Sequence, residues 1–130
     1  MKILLFFLAA LLAFSCNSED DLVPDTDLIG KWGLIEILAD PGDGSGTFQP
    51  VESEKYVEFH SDGTITSNAD LCRTFDQPGT PSSGTYSLTD STINPDGCDP
   101  QWPYPFEHTG STLTISYVCI EACQEKYVKL

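Results

Sequence analysis

Positive charge is what this sequence has least of. Six Lys and Arg stand against 20 Asp and Glu, a formal net charge of −14, and Arg73 is the one arginine in 130 residues. A nucleic-acid partner needs a basic face to neutralise its phosphates, so nucleic acid is excluded. Docking on anionic lipid is disfavoured for the same reason. The charge suits a solvated extracellular surface. Histidine occurs only at His60 and His108, far apart and without the spacing of a metal-binding pair. Catalytic signatures are missing as well. Ser45 lies in Gly44-Ser45-Gly46, which is not the Gly-x-Ser-x-Gly elbow of hydrolases. The Asp40–Gly46 stretch ends in no Gly-Lys-Ser/Thr and carries no carboxylate ladder closed by Glu, so it is neither a P-loop nor an EF-hand. The expectation is a protein that is not an enzyme, with no cofactor and no metal.

The N-terminus supplies the first positive feature. Ile3 to Phe14 is continuously apolar after Lys2. Twelve residues rise about 18 Å as a helix, short of the roughly 30 Å hydrocarbon core, so a cleaved export signal fits better than a spanning anchor. Residues 1–15 are read as a lipoprotein signal peptide, because Ala13-Phe14-Ser15-Cys16 resembles a bacterial lipobox. Cys16 is expected to be the first mature residue and to carry lipid. The alternative is an ordinary signal peptide in which Cys16 is incidental. Residues 16–27, which open with Cys16-Asn17-Ser18-Glu19-Asp20-Asp21, form an acidic tether. They resemble the signal that sends lipoproteins of Bacteroidota to the outer face of the outer membrane. The expected location is the cell surface, exported and held to the outer membrane by lipid, with the chain a monomer.

Four further cysteines follow: Cys72, Cys98, Cys119 and Cys123. An even number in an exported chain implies two disulfides, and the sequence permits three pairings. Cys119–Cys123 as a clasp across a turn, with Cys72–Cys98 linking two long loops, is the favoured set. A four-thiolate zinc site would need two close pairs, and only one close pair exists.

Residues 28–130 make one domain of short strands. Leu28 to Leu38 is apolar on both faces, with Gly30 and Gly33 opposing a helix. Tyr56 to His60 and Thr64 to Ser67 alternate around Ser61-Asp62-Gly63, a strong hairpin signal. Gly84 to Thr89 alternates with Tyr86 and Leu88 inward, and Ser91-Thr92-Ile93 is a brief strand. Asn94 to Pro105 holds four prolines, which forbid a central strand, so Trp102 and Tyr104 are expected in a loop packed over one end of the core. Phe106-Glu107-His108 begins a hairpin turned at Thr109-Gly110-Ser111, Leu113 to Tyr117 alternates strictly, and Glu125 to Leu130 closes the sheet. About eight strands without a helix suit an antiparallel barrel, since closure removes exposed edges.

The order of these features resembles the lipocalin-like domain lipoproteins of Bacteroidota. The resemblance rests on Leu28-Ile29-Gly30-Lys31-Trp32, Phe59-His60-Ser61-Asp62-Gly63-Thr64, Gly84-Thr85-Tyr86-Ser87-Leu88, Leu113-Thr114-Ile115 and Lys126-Tyr127-Val128-Lys129. It implies an all-β fold, a small antiparallel eight-stranded lipocalin-like barrel over residues 28–130, whose interior holds a small apolar ligand. The inward faces that would line it carry Trp32, Leu34, Val57, Phe59, Tyr86, Leu88, Leu113, Ile115 and Tyr117. Small eight-stranded barrels can instead be filled by side chains alone. The second expectation is therefore a filled barrel that presents loops 40–50 and 94–105 as a structural or protein-interaction module.

Overall fold

A computed structural model describes residues 27–130; the signal segment, Cys16 and the acidic tether as far as residue 26 lie outside the described residues. Nine strands follow in order among the described residues. They are β1 (Gly30–Ala39), β2 (Gln49–Pro50), β3 (Tyr56–Phe59), β4 (Thr64–Ser67), β5 (Ser82–Ser87), β6 (Thr92–Pro95), β7 (Tyr104–Thr109), β8 (Thr112–Tyr117) and β9 (Cys123–Lys129). Every pairing is antiparallel between neighbours from β3 to β9, and β9 returns to pair with β1. The result is a closed eight-stranded barrel, as the strand pattern predicts. β2 was not anticipated. It is a two-residue extension along the far half of β1, on the side that β3 occupies along the near half.

The apolar residues on both faces of β1 have a local cause. Its register against β9 shifts between Leu34 and Glu36, so Leu34 pairs with Tyr127 while Ile37 pairs with Glu125. A bulge of one residue reverses the inward phase of the strand. Trp32 and Leu34 point inward before it, and Ile37 packs against the core after it. Glu36 consequently faces out, with a carboxylate oxygen 2.5 Å from Nζ of Lys126.

The expected turns form where the chemistry demands. Gly63 adopts φ of 87°, and the Asp62 carboxylate accepts from both the backbone N–H and the hydroxyl of Thr64. Those two bonds, the hydroxyl's first, hold the Asp62 carboxyl below the usual 3.8. Prolines end up closer to the sheet than expected. Pro95 terminates β6 and Pro105 sits second in β7, opposite Thr92. Both lie at strand ends, where a missing N–H interrupts little.

The two barrel ends differ. One carries the tight turns at 60–63, 88–91 and 110–111, together with Asp27, where the described chain begins. The other carries the long connections 40–48, 68–81, 96–103 and 118–122, with both disulfides. They are called here the turn end and the loop end.

Candidate functional site

The nine residues expected to line an interior all belong to one packed cluster. Trp32, Leu34, Val57, Phe59, Leu113, Ile115 and Tyr117 are buried, and Tyr86 and Leu88 are half-buried against them. Ile65, Ile93, Tyr104, Phe106 and Tyr127 complete the filling. Aromatic rings meet edge to face, Phe59 against Tyr86 at 5.0 Å and against Phe106 at 5.6 Å between centroids. Such pairs reach packing that aliphatic residues alone would not fix.

Both ends are stoppered. At the turn end, buried Leu28 lies over the barrel, and its carbonyl accepts from Nε1 of Trp32 at 2.9 Å. The Nζ of Lys129 donates to the carbonyls of Asp27 and Ile29, strapping the incoming chain down. At the loop end, connection 68–81 folds in and buries Ala69 and Leu71.

Beneath that connection lies a charged network that sequence reasoning missed. Lys55 and Glu125 are almost completely buried. Nζ of Lys55 donates to both carboxylate oxygens of Glu125, at 2.7 and 2.9 Å, and to the carbonyl of Phe75 at 3.1 Å. The Phe75 N–H donates back to Glu125 at 3.2 Å. The hydroxyls of Tyr117, at 2.8 Å, and Tyr127 also donate to Glu125. Burial first, and then the charge of neighbouring groups, Glu125 for Tyr117 and Tyr117 with Glu125 for Tyr127, push both phenols well above 10.0. All three ammonium protons therefore have acceptors, which an ion pair buried in a low-dielectric interior requires. Simple alternation held the signal. Lys55 shares the phase of Val57 and Phe59, and Glu125 that of Cys123 and Tyr127.

Open space lies outside the barrel, at the loop end. A cleft of about 660 Å³ runs between residues 70–73 and 96–102, with Tyr104 at its floor and Val118 at its margin. The Cys72–Cys98 disulfide ties the two walls together, with Cα atoms 5.4 Å apart. Further bonds fix each wall. The Tyr104 hydroxyl donates to the Cys72 carbonyl at 3.2 Å, Ser83 Oγ to Asp96 at 3.1 Å, and the Cys72 N–H to Asp70 at 2.8 Å. The two aromatics expected in one loop therefore part company. Tyr104 is not in the loop but opens β7, paired with Ile93 and buried in the core, whereas Trp102 stays in the loop and is 51% exposed beside the cleft instead of packing over the core. Across the same end, the Cys119–Cys123 clasp holds Ile120 fully in solvent. Loop 40–48 is organised by Asp40, whose carboxylate accepts from the N–H groups of Gly42, Asp43, Gly44 and Gly46. Those bonds, the Gly46 one foremost, hold its carboxyl below the usual 3.8.

Fold and filling together define an up-and-down, side-chain-packed barrel with an elaborated loop end. A family model described as lipocalin-like domain matches residues 28–115, more than half of the chain. The chain belongs to the lipocalin-like domain family. No curated protein matches it, and no solved structure does.

Proposed function

We propose that this chain is an exported lipoprotein, anchored through Cys16, whose filled barrel is a rigid pedestal for a binding face at the loop end. It acts as an interaction module, not as a carrier of an apolar molecule and not as an enzyme. The observation that carries this reading is the closed interior. The nine inward-facing residues pack on one another, and the buried Lys55–Glu125 network lies beneath the loop that covers one mouth. An apolar guest would have to displace core side chains and strand that ion pair in a low-dielectric space. The position of Asp27 supports the orientation. A tether joined at the turn end would leave the long loops facing away from the membrane.

Native mass spectrometry of the purified protein, followed by titration with oleate, tests the reading. The expected result is a mass without a guest and no saturable uptake. An apolar molecule released on denaturation, or saturable oleate binding that Leu113→Trp blocks, would restore the ligand-carrying barrel. Metabolic labelling with an alkyne fatty acid tests the anchor: label is expected on the natural protein and lost in Cys16→Ala.

A further inference from the structure

We propose that the loop-end cleft binds a neutral glycan, with a sugar ring stacked on Trp102 and its hydroxyls bonded to Arg73 and Asp99. The proposal rests on the loop end being the binding face, and names the class of ligand it takes.

Three features of the cleft lead there. Its shape is built in advance, since a disulfide and the hydrogen bonds of Tyr104, Ser83 and Asp70 fix both walls. A recess that needs no ordering on binding loses less affinity to entropy. Next, Trp102 presents its indole to solvent without a ring, cation or hydrogen-bond partner among the described residues. One exposed aromatic alone signifies little. This one lies beside a recess in which the side chains of Arg73 and Asp99 are also unengaged.

The charges decide the chemistry. The side chains of Arg73 and Asp99 both line the cleft, and neither makes a hydrogen bond or ion pair with another described residue. Asp70 and Asp96 each keep a carboxylate oxygen that no other described residue bonds. A cationic ligand would suit the aspartates but oppose Arg73. An anion would suit Arg73 but oppose three carboxylates. A polyol offers donors to the carboxylates and acceptors to the guanidinium at once, in charge-assisted bonds. The apolar C–H face of a pyranose ring supplies what the bare indole lacks.

The two tryptophans provide the readout, because Trp32 is wholly buried and only Trp102 is open to a quencher. Acrylamide quenching of the purified protein is measured against hexasaccharides of α-linked glucose, β-linked glucose, mannose, xylose and N-acetylglucosamine, each to about 10 mM. At least one should protect Trp102 saturably, and the protection should persist in about 0.5 M NaCl, where exposed ionic contacts are screened. Calorimetry carries the variants, since Trp102→Ala removes the reporter. That variant, and Asp99→Asn independently, should each weaken binding about tenfold. Both positions are exposed, so folding is expected to be intact and is checked by thermal melting. Failure of the whole panel overturns the proposal. So does binding that neither variant weakens, or binding of spermidine alone that fades with salt. None of these outcomes bears on whether the barrel interior is filled, which the native mass reads separately.

Discussion

The ammonium of Lys55 meets the carboxylate of Glu125 at 2.7 Å across 70 residues of sequence, and both side chains are entirely shielded from water. The pair joins the start of β3 to β9, and through the backbone of Phe75 it also fastens the loop that covers the barrel mouth. Removing one partner of such a pair leaves a buried charge without compensation, at a cost of about 3–5 kcal/mol. Lys55→Met is therefore expected to lower the urea midpoint strongly. Adding Glu125→Leu should recover only part of the loss. It removes the orphaned charge but strands the hydroxyls of Tyr117 and Tyr127, at about 1–3 kcal/mol for each buried group. Full recovery in the double variant would show that the phenols do not depend on the network.

Two glycines of the sheet should respond to alanine in opposite degrees. At Gly84 an added Cβ would run into the carbonyl oxygen of Asn94 and lie 2.7 Å from the Cα of Pro95. These are backbone atoms of the adjacent strand β6, and they cannot swing aside. At Gly33 the nearest atom is Cδ2 of Leu130, 2.9 Å away, on a side chain that is largely exposed and able to move. Gly84→Ala should cost about 1–3 kcal/mol or more, as overpacking does, while Gly33→Ala should stay within about 0.5 kcal/mol. Equal urea midpoints for the two variants would contradict the close approach of β5 and β6.

These features were unequally legible in the sequence. Eight strands, the Asp62-Gly63 hairpin and the presence of two disulfides could be read, because each rests on local alternation, turn chemistry or cysteine parity, whereas the pairing was one favoured set among three and is the one that forms. The inward set could be read from the same alternation. The charged network could not, although Lys55 and Glu125 keep the inward phase. A charge on an inward position reads as a strand end until its partner, 70 residues away, is known. The bulge in β1 was hidden for a similar reason, since only pairing with β9 reveals which half of the strand changes phase. The cleft was also out of reach. Its walls come from two proline- and aspartate-containing loops with no periodicity, brought together by closure of the barrel and by Cys72–Cys98.

The two disulfides should differ in worth and in consequence. Cys72–Cys98 closes a separation of 26 residues and Cys119–Cys123 one of four. By loop-closure entropy the first is worth about 3.5 kcal/mol and the second about 2 kcal/mol. Paired replacement of Cys72 and Cys98 by Ala should lower the melting temperature further than paired replacement of Cys119 and Cys123. It should also speed hydrogen exchange at residues 70–73 and 96–101, whose shared cross-link is gone. Unchanged exchange there would mean that the hydrogen bonds of Tyr104 and Ser83 suffice to hold the cleft.

Alkaline pH should expose the same buried network from another direction. Tyr117 and Tyr127 are buried and their hydroxyls donate to Glu125, so ionising either would place a second negative charge beside that carboxylate. Burial, with that neighbouring charge, raises both above the ordinary value of 10.0. A phenol whose folded value is raised keeps its proton longer in the native state than in the unfolded chain. Its contribution to stability is therefore intact below pH 10.0 and is lost as pH climbs from there toward the folded value. Stability measured in urea should be flat through neutral pH with respect to these groups and should fall above pH 10. Absorbance at the tyrosinate band gives the molecular signature. Tyr117 and Tyr127 should not ionise while the barrel is folded, so the last part of the tyrosinate signal should rise together with loss of β-sheet circular dichroism. Complete tyrosine ionisation with the sheet intact would place these hydroxyls in contact with water and refute the sealed loop end.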